Sequence, residues 1–181
     1  MFVLSQYMHG GIGSDQKMKV LVFSDSHGNT TNMITAIEQE APDMVLHLGD
    51  YWEDVRELRW IYPELAITQV PGNCDDAPYE ELERVIEVAG YRLALCHGHS
   101  RGVKRDDRGI ICLGEETGAD FVLFGHTHQR YCRKCGRFYL MNPGSVGMGS
   151  VSYGVLYLEE GQRRGAIKGV FSEEEYYAFV D

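Results

Sequence analysis

Five short apolar runs in this 181-residue chain each end in a turn that combines small residues with a carboxylate, an imidazole or an amide. KVLVF (19–23) runs into Asp25-Ser26-His27, MVLHL (44–48) into Gly49-Asp50 and TQVP (68–71) into Gly72-Asn73-Cys74-Asp75. LALC (93–96) runs into His97-Gly98-His99, and FVLF (121–124) into Gly125-His126-Thr127-His128. Apolar runs of this length read as buried strands. In α/β sheets the loops beyond the carboxyl ends of the strands form one shared crevice, so residues about a hundred positions apart meet there.

Segments of helical spacing alternate with the first strands, as in a layered α/β protein. Residues 32–40 carry Met33, Ile34 and Ile37 on one side and stop at Pro42, residues 52–62 carry Val55, Leu58 and Ile61, and 65–70 reads as the third strand. Residues 84–88, the Ala89-Gly90 turn and 91–96 then read as a β-hairpin. A helix is expected over 106–117, ended by Gly118, followed by a strand at 121–124. The segments 130–132, 137–141, 152–158 and 165–171 are strand-rich with glycine turns. Residues 173–179 are expected to form a last short helix, whose Tyr176, Tyr177 and Phe179 suit a subunit contact as well as the core.

Residues 1–17 follow neither period, and Gly10, Gly11, Gly13 and Ser14 read as a loose tail. MKVLVFSDSHGN, from Met18, looks like a natural beginning, so the tail reads as a start-site artefact rather than an ordered arm on a partner chain. A single domain over 18–181 is expected.

With 17 basic and 27 acidic residues the chain carries a net charge of −10, which repels a nucleic-acid backbone at long range. General nucleic-acid binding is therefore not expected, although bound divalent cations would reverse the potential inside one cleft. No apolar run approaches the roughly 20 residues that cross a bilayer, the first residues lack the order of a secretory signal, and a cytoplasmic enzyme is expected. The five cysteines are an odd number, which favours free thiols over a disulfide framework.

Singly, each strand-end fragment is an ordinary turn; together they are not. Five of the seven histidines (His27, His97, His99, His126 and His128) lie in these turns, with Asp25, Asp50 and Asn73 beside them. Two imidazoles two residues apart in extended chain, as in His126 and His128, point the same way and present nitrogen to neighbouring metals. A mixed oxygen and nitrogen set fits manganese, iron or zinc better than calcium or a thiolate-bound structural zinc.

The ordered set Asp25-x-His27, Gly49-Asp50, Gly72-Asn73-x-Asp75, His97 and Gly125-His126-x-His128, with the trailing Asn142-Pro143-Gly144-Ser145, resembles the signature of calcineurin-like metallophosphoesterases. The short length is similar to their small YfcE-type phosphodiesterases, and the resemblance runs from Met18 to about Leu158. It implies an α/β four-layer αββα sandwich, two mixed β-sheets packed face to face with helices outside. It also implies two divalent metal ions, manganese first, with nickel, iron or zinc as alternatives. Asp25, His27 and His128 would hold one ion, Asn73, His97 and His126 the other, and Asp50 would bridge them. The implied reaction is hydrolysis of phosphate esters, small phosphodiesters above all, by a hydroxide between the ions attacking in line with the leaving alkoxide.

Asp50, Asn73, Cys74 and His99 are the candidate catalytic positions. Larger members have histidine where this chain has Cys74, as a candidate acid for the leaving group; the small subgroup commonly carries cysteine. Cys74 therefore reads as a small space-filler beside the phosphate, and leaving groups of low pKa should be cleaved best. Asp75 either orients its turn or caps a helix. His99, two residues after a ligand candidate, is within reach of the metals or the bound phosphate. The rival is a protein-binding scaffold of the same fold without catalysis, like the retromer subunit, but seven competent donors favour the enzyme. A structure-specific nuclease is disfavoured by the acidic charge. The expected partner is a small phosphorylated substrate, with no membrane; self-association into a homo-oligomer is left open.

Other residues have plainer readings. His47, inside an apolar strand, is a core histidine, and His9 has no role. Cys132-Arg133-Lys134-Cys135 lacks a second cysteine pair to complete a zinc site. Arg101, Lys104, Arg105 and Arg108 read as a solvated helix start, or as a contact for a substrate's anionic tail.

Overall fold

The computed structural model describes residues 17–76 and 80–181. Residues 1–16, and with them nearly all of the expected tail, lie outside the described residues. The elements run β1 (Met18–Phe23), α1 (Thr30–Glu40), β2 (Met44–His47), α2 (Trp52–Ile61), β3 (Ala66–Gln69), β4 (Glu83–Val88), β5 (Tyr91–Cys96), α3 (Arg108–Thr117), β6 (Phe121–Leu123), β7 (Arg130–Cys135), β8 (Phe138–Pro143), β9 (Ser152–Glu159), β10 (Gln162–Gly169) and β11 (Glu175–Val180).

Alternation along the strands makes the layers. In β1, Val20 and Val22 face one way, with Leu46, into a core completed by Leu93, Leu95, Phe121, Leu123 and Met141 of the other sheet. Leu21 and Phe23 face the opposite way, onto Met33, Ala36 and Ile37 of α1 and Leu58 of α2. In β5, Ala94 and Cys96 meet Ile110 and Leu113 of α3. The result is helix, sheet, sheet, helix, the expected four-layer αββα sandwich. One sheet has six strands in the order β11-β10-β9-β1-β2-β3, the other five in the order β4-β5-β6-β8-β7. Both are mixed: β1 pairs parallel with β2 and antiparallel with β9, and β6 lies parallel between β5 and β8. The carboxyl ends of β1, β2, β3, β5 and β6 therefore lie along one crest.

Local chemistry sets the helix ends. The Asn29 side chain accepts a hydrogen bond from the Asn32 N–H at the start of α1, and left-handed Ala41 ends it ahead of Pro42. Gly118 closes α3 in the left-handed conformation, as expected.

One expectation is corrected: 173–179 contains no helix. It contributes most of β11, paired antiparallel with β10, with a register shift opposite Gly165 and Ile167. Tyr177 sits in that bulge at φ 54°. Phe179 stacks on Tyr139 with ring centroids 4.1 Å apart, Tyr176 packs at the edge of the core, and Tyr177 is exposed.

Candidate metal centre

The strand-end turns hold their polar residues in an unusual backbone conformation. Asp25, His27, Asp50, Tyr51, His126 and His128 all have φ between 48° and 73°, the left-handed region that L-residues other than asparagine and aspartate rarely enter. The crest compensates by lacing its turns together: Asp25 N–H donates to Gly49 O at 3.0 Å, and Gly125 N–H to His97 O at 3.0 Å. Two glycines permit the approach. A Cβ at Gly72 would collide with Asp50, and one at Gly125 with Ser24 and Asp25.

Asp25, His27, Asp50 and His128 each offer a donor atom within 4.8 Å of the others. His128 Nε2 lies 3.1 Å from Asp25 Oδ1 and 3.2 Å from His27 Nε2, and His27 Nε2 lies 3.9 Å from Asp50 Oδ2. Asp25 is fully buried, and its Oδ2 accepts from the Ser24 hydroxyl at 2.6 Å and the His126 N–H at 3.1 Å. Its Oδ1 is buried with no hydrogen-bond partner, despite the nearby imidazole. A buried carboxylate oxygen facing a nitrogen without a proton between them is costly, and a cation between them removes the cost.

The second half of the cage adjoins the first. His97 Nε2 lies 3.2 Å from Asn73 Oδ1, 3.2 Å from His126 Nδ1 and 3.4 Å from Asp50 Oδ1. Donors held about 2.1 Å from one ion stand about 3.0 to 3.4 Å apart, so this spacing fits a shared cation. His97 Nδ1 is 2.8 Å from Leu48 O. A carbonyl only accepts, so Nδ1 carries the proton and Nε2 turns its lone pair to the cage.

Electrostatics in the cage point the same way. His126 is pushed down to about 4 by burial, then by the neighbouring His97 imidazole and the Lys104 ammonium, so the imidazole is neutral and free to coordinate. Burial raises the Asp50 carboxyl, but the Cys74 N–H and the His97 and His27 imidazoles outweigh it, leaving it below the ordinary range. The Cys74 thiol is raised, by burial first and then by Asp50.

The family model of the calcineurin-like phosphoesterase superfamily domain matches residues 18–161, a span that holds every residue of the cage. The chain belongs to the calcineurin-like phosphoesterase superfamily. Its members are metal-dependent hydrolases that act on phosphate esters. A Bacillus subtilis protein named probable metallophosphoesterase YsnB is 34% identical over 149 residues, covering 78% of this chain and 85% of its own length. Among solved structures, YfcE, a phosphoesterase from E. coli, shares the fold with a TM-score of 0.65 at 21% identity, over 90% of this chain and 98% of its own. Zinc-complexed Vps29 of Entamoeba histolytica shares it with a TM-score of 0.72 at 20% identity, over 91% and 98%.

In this calcineurin-like phosphoesterase all seven expected donors converge, and several expected neighbours find definite places. Asp75 does both jobs foreseen for it: Oδ2 accepts from the Gly72 N–H at 2.7 Å and the Asp50 N–H at 3.0 Å, while Oδ1 accepts from the Trp52 N–H at 2.7 Å, at the start of α2. Cys74 contributes its backbone N–H to Asp50 Oδ1 at 3.0 Å. The His99 ring centroid is 5.5 Å from that of His97 and 6.1 Å from that of His126, and its Nδ1 is buried without a partner. His47 is a buried core histidine, its Nε2 3.1 Å from Ser26 Oγ.

The basic stretch is mostly occupied elsewhere. Arg101 is bound by Glu83 and Glu116, and Arg105 and Arg108 face Asp106. Lys104 has no ion-pair partner among the described residues. Cys132 packs between the sheets and Cys135 against the α3 side, and all five cysteines are free thiols.

Sequence reasoning missed the braces. Asp54 Oδ2 accepts from the Ser26 hydroxyl at 2.7 Å and the Gly28 N–H at 2.8 Å, pinning the turn that carries His27. Its signal was a carboxylate in line with Leu58 and Ile61 on the apolar side of α2. Asn142 donates to Gly125 O at 2.7 Å and Ser145 to Asp25 O at 2.8 Å, so the Asn-Pro-Gly-Ser stretch clamps two of the ligand-bearing turns.

Proposed function

We propose that this phosphoesterase holds two divalent cations and hydrolyses small phosphodiesters. The observation that carries the reading is the clustering of Asp25, His27, Asp50 and His128, with Asn73, His97 and His126 adjoining them through His97 and Asp50, and with the buried Asp25 Oδ1 left without a partner. Asp25, His27 and His128 would hold one cation, Asn73, His97 and His126 the other, and Asp50, between the two groups, would serve both. When bound, the cations polarise phosphoryl oxygens and lower the pKa of water, of which manganese is the first candidate and nickel, iron or zinc the alternatives.

The chain's own residues divide the remaining work. Asn73 offers a neutral carbonyl oxygen and adds no charge to a site that already carries two carboxylates. Leu48 O fixes the His97 tautomer, and Ser24 and the His126 N–H hold Asp25 in line. His99, kept below its ordinary pKa by burial and then by His97, is a neutral imidazole beside the substrate position, suited to hydrogen-bond a phosphoryl oxygen. Cys74, with its raised thiol, fills space near the phosphate and supplies no ready acid, so esters of acidic alcohols are cleaved fastest.

The free thiols suit a reducing compartment, consistent with action in the cytoplasm. The purified protein, titrated with manganese and offered monoesters, diesters and pyrophosphates, should turn over activated diesters best. Tight metal binding with no hydrolysis of any ester would favour the scaffold reading.

A further inference from the structure

A cavity of about 310 Å³ lies on the α3 side of the crest, within the size range of small-molecule sites. It shares walls with the donor cage. Thr127, between His126 and His128, lines it, as do Phe124 just before that turn and Val103, whose side chain packs on Gly98 between His97 and His99. Its floor is apolar, with Ile110 and Phe124 both buried. Its rim is polar: Gln129 offers an exposed amide, Arg130 a guanidinium whose buried Nε has no hydrogen-bond partner, and Asp106 a carboxylate that Arg108 already holds. The larger cavity beside Glu40 shares no residue with the cage turns.

Resting on the phosphodiesterase reading, we propose that the cavity beside α3 is the subsite for one ester group of the substrate, a flat, hydrogen-bonding group of nucleoside type. The ring lies between Val103 and the edge of Phe124, its N–H and hydroxyl donors meet Gln129, and a ring oxygen meets Arg130. The reaction is redox-neutral. Water oxygen bonds to phosphorus, one P–O ester bond breaks, and the departing alkoxide takes a proton. The other ester group stays on phosphorus, and the cavity retains it.

Two esters with the same leaving group isolate the retained one: thymidine 5′-(4-nitrophenyl) phosphate and methyl 4-nitrophenyl phosphate. With manganese present, kcat/KM is expected to favour the thymidine ester at least tenfold, and Val103→Phe, which fills the cavity, to bring the ratio towards one. Independently of folding in that variant, titration of the full-length, metal-free wild type with thymidine should shift the amide resonances of Val103, Ile110, Gln129 and Tyr131. Hydrolysis of both esters at a ratio near one, or thymidine shifts clustered elsewhere, overturns the subsite and leaves the phosphodiesterase reading standing. Failure to hydrolyse either ester overturns both.

Discussion

Left-handed backbone occurs at both ends of the two sheets, but different residues occupy it. At the hairpin end Gly90, Gly136 and Gly161, with Ala89 alone among the side-chain-bearing residues of these hairpin turns, take the positive φ, and a side chain at any of these three glycines would stand in open space. At the crest the same region of φ is taken by Asp25, His27, Asp50, Tyr51, His126 and His128. Glycine would avoid a cost of about 1–2 kcal/mol at each such position, yet the crest uses Asp25, His27, Asp50, His126 and His128, five of the proposed metal donors, with Tyr51 beside them. The hairpin turns are chosen for conformation, and the crest turns for chemistry held in place by their neighbours.

The largest break in that contrast is Asp50→Asn, which removes the charge proposed to bridge the cations and little volume. It should lower kcat on an activated diester by about a thousandfold or more with the circular dichroism spectrum unchanged. Near-normal turnover in the purified variant would refute the bridging role.

The floor beneath the crest gives the next effect. Burial, outweighing Asp75, pushes His47 down to about 4 from 6.5. The unfolded chain then binds more protons than the folded one between these values, so stability is full above pH 6.5 and is lost as pH falls towards 4. The loss is on the order of 3 kcal/mol by pH 4. Guanidinium melts of the metal-free protein at pH 7 and pH 5 measure it, and His47→Gln should flatten the slope.

Two glycine substitutions sharpen the comparison directly. Gly72→Ala, at the crest, drives a methyl group into Asp50 and should cost about 2 kcal/mol and weaken manganese binding by calorimetry. Gly161→Ala, at the hairpin end, meets only the φ penalty and should cost about 1 kcal/mol with unchanged metal affinity. Equal effects on metal binding would erase the distinction between the two ends.

What the sequence revealed and concealed follows from range. The inner strands were legible because their apolar runs are continuous, and the clustering of the seven candidate donors because they lie in the turns that close such runs. β11 was not. The bulge at Tyr177 inserts one residue, so Tyr176 and Phe179 share the core face three positions apart, a spacing that mimics a helix. Asp54 was silent, and Asn142 stood in the quoted signature without its bracing role, because both act on backbone groups in distant parts of the chain, contacts that no local period encodes.

The central claim is that one cage holds two cations with Asp50 between them. Anomalous scattering from crystals soaked in manganese tests it most directly. Two peaks are predicted, one against Asp25, His27 and His128 and one against Asn73, His97 and His126, both within reach of Asp50. A map with no peak inside the cage would contradict the account.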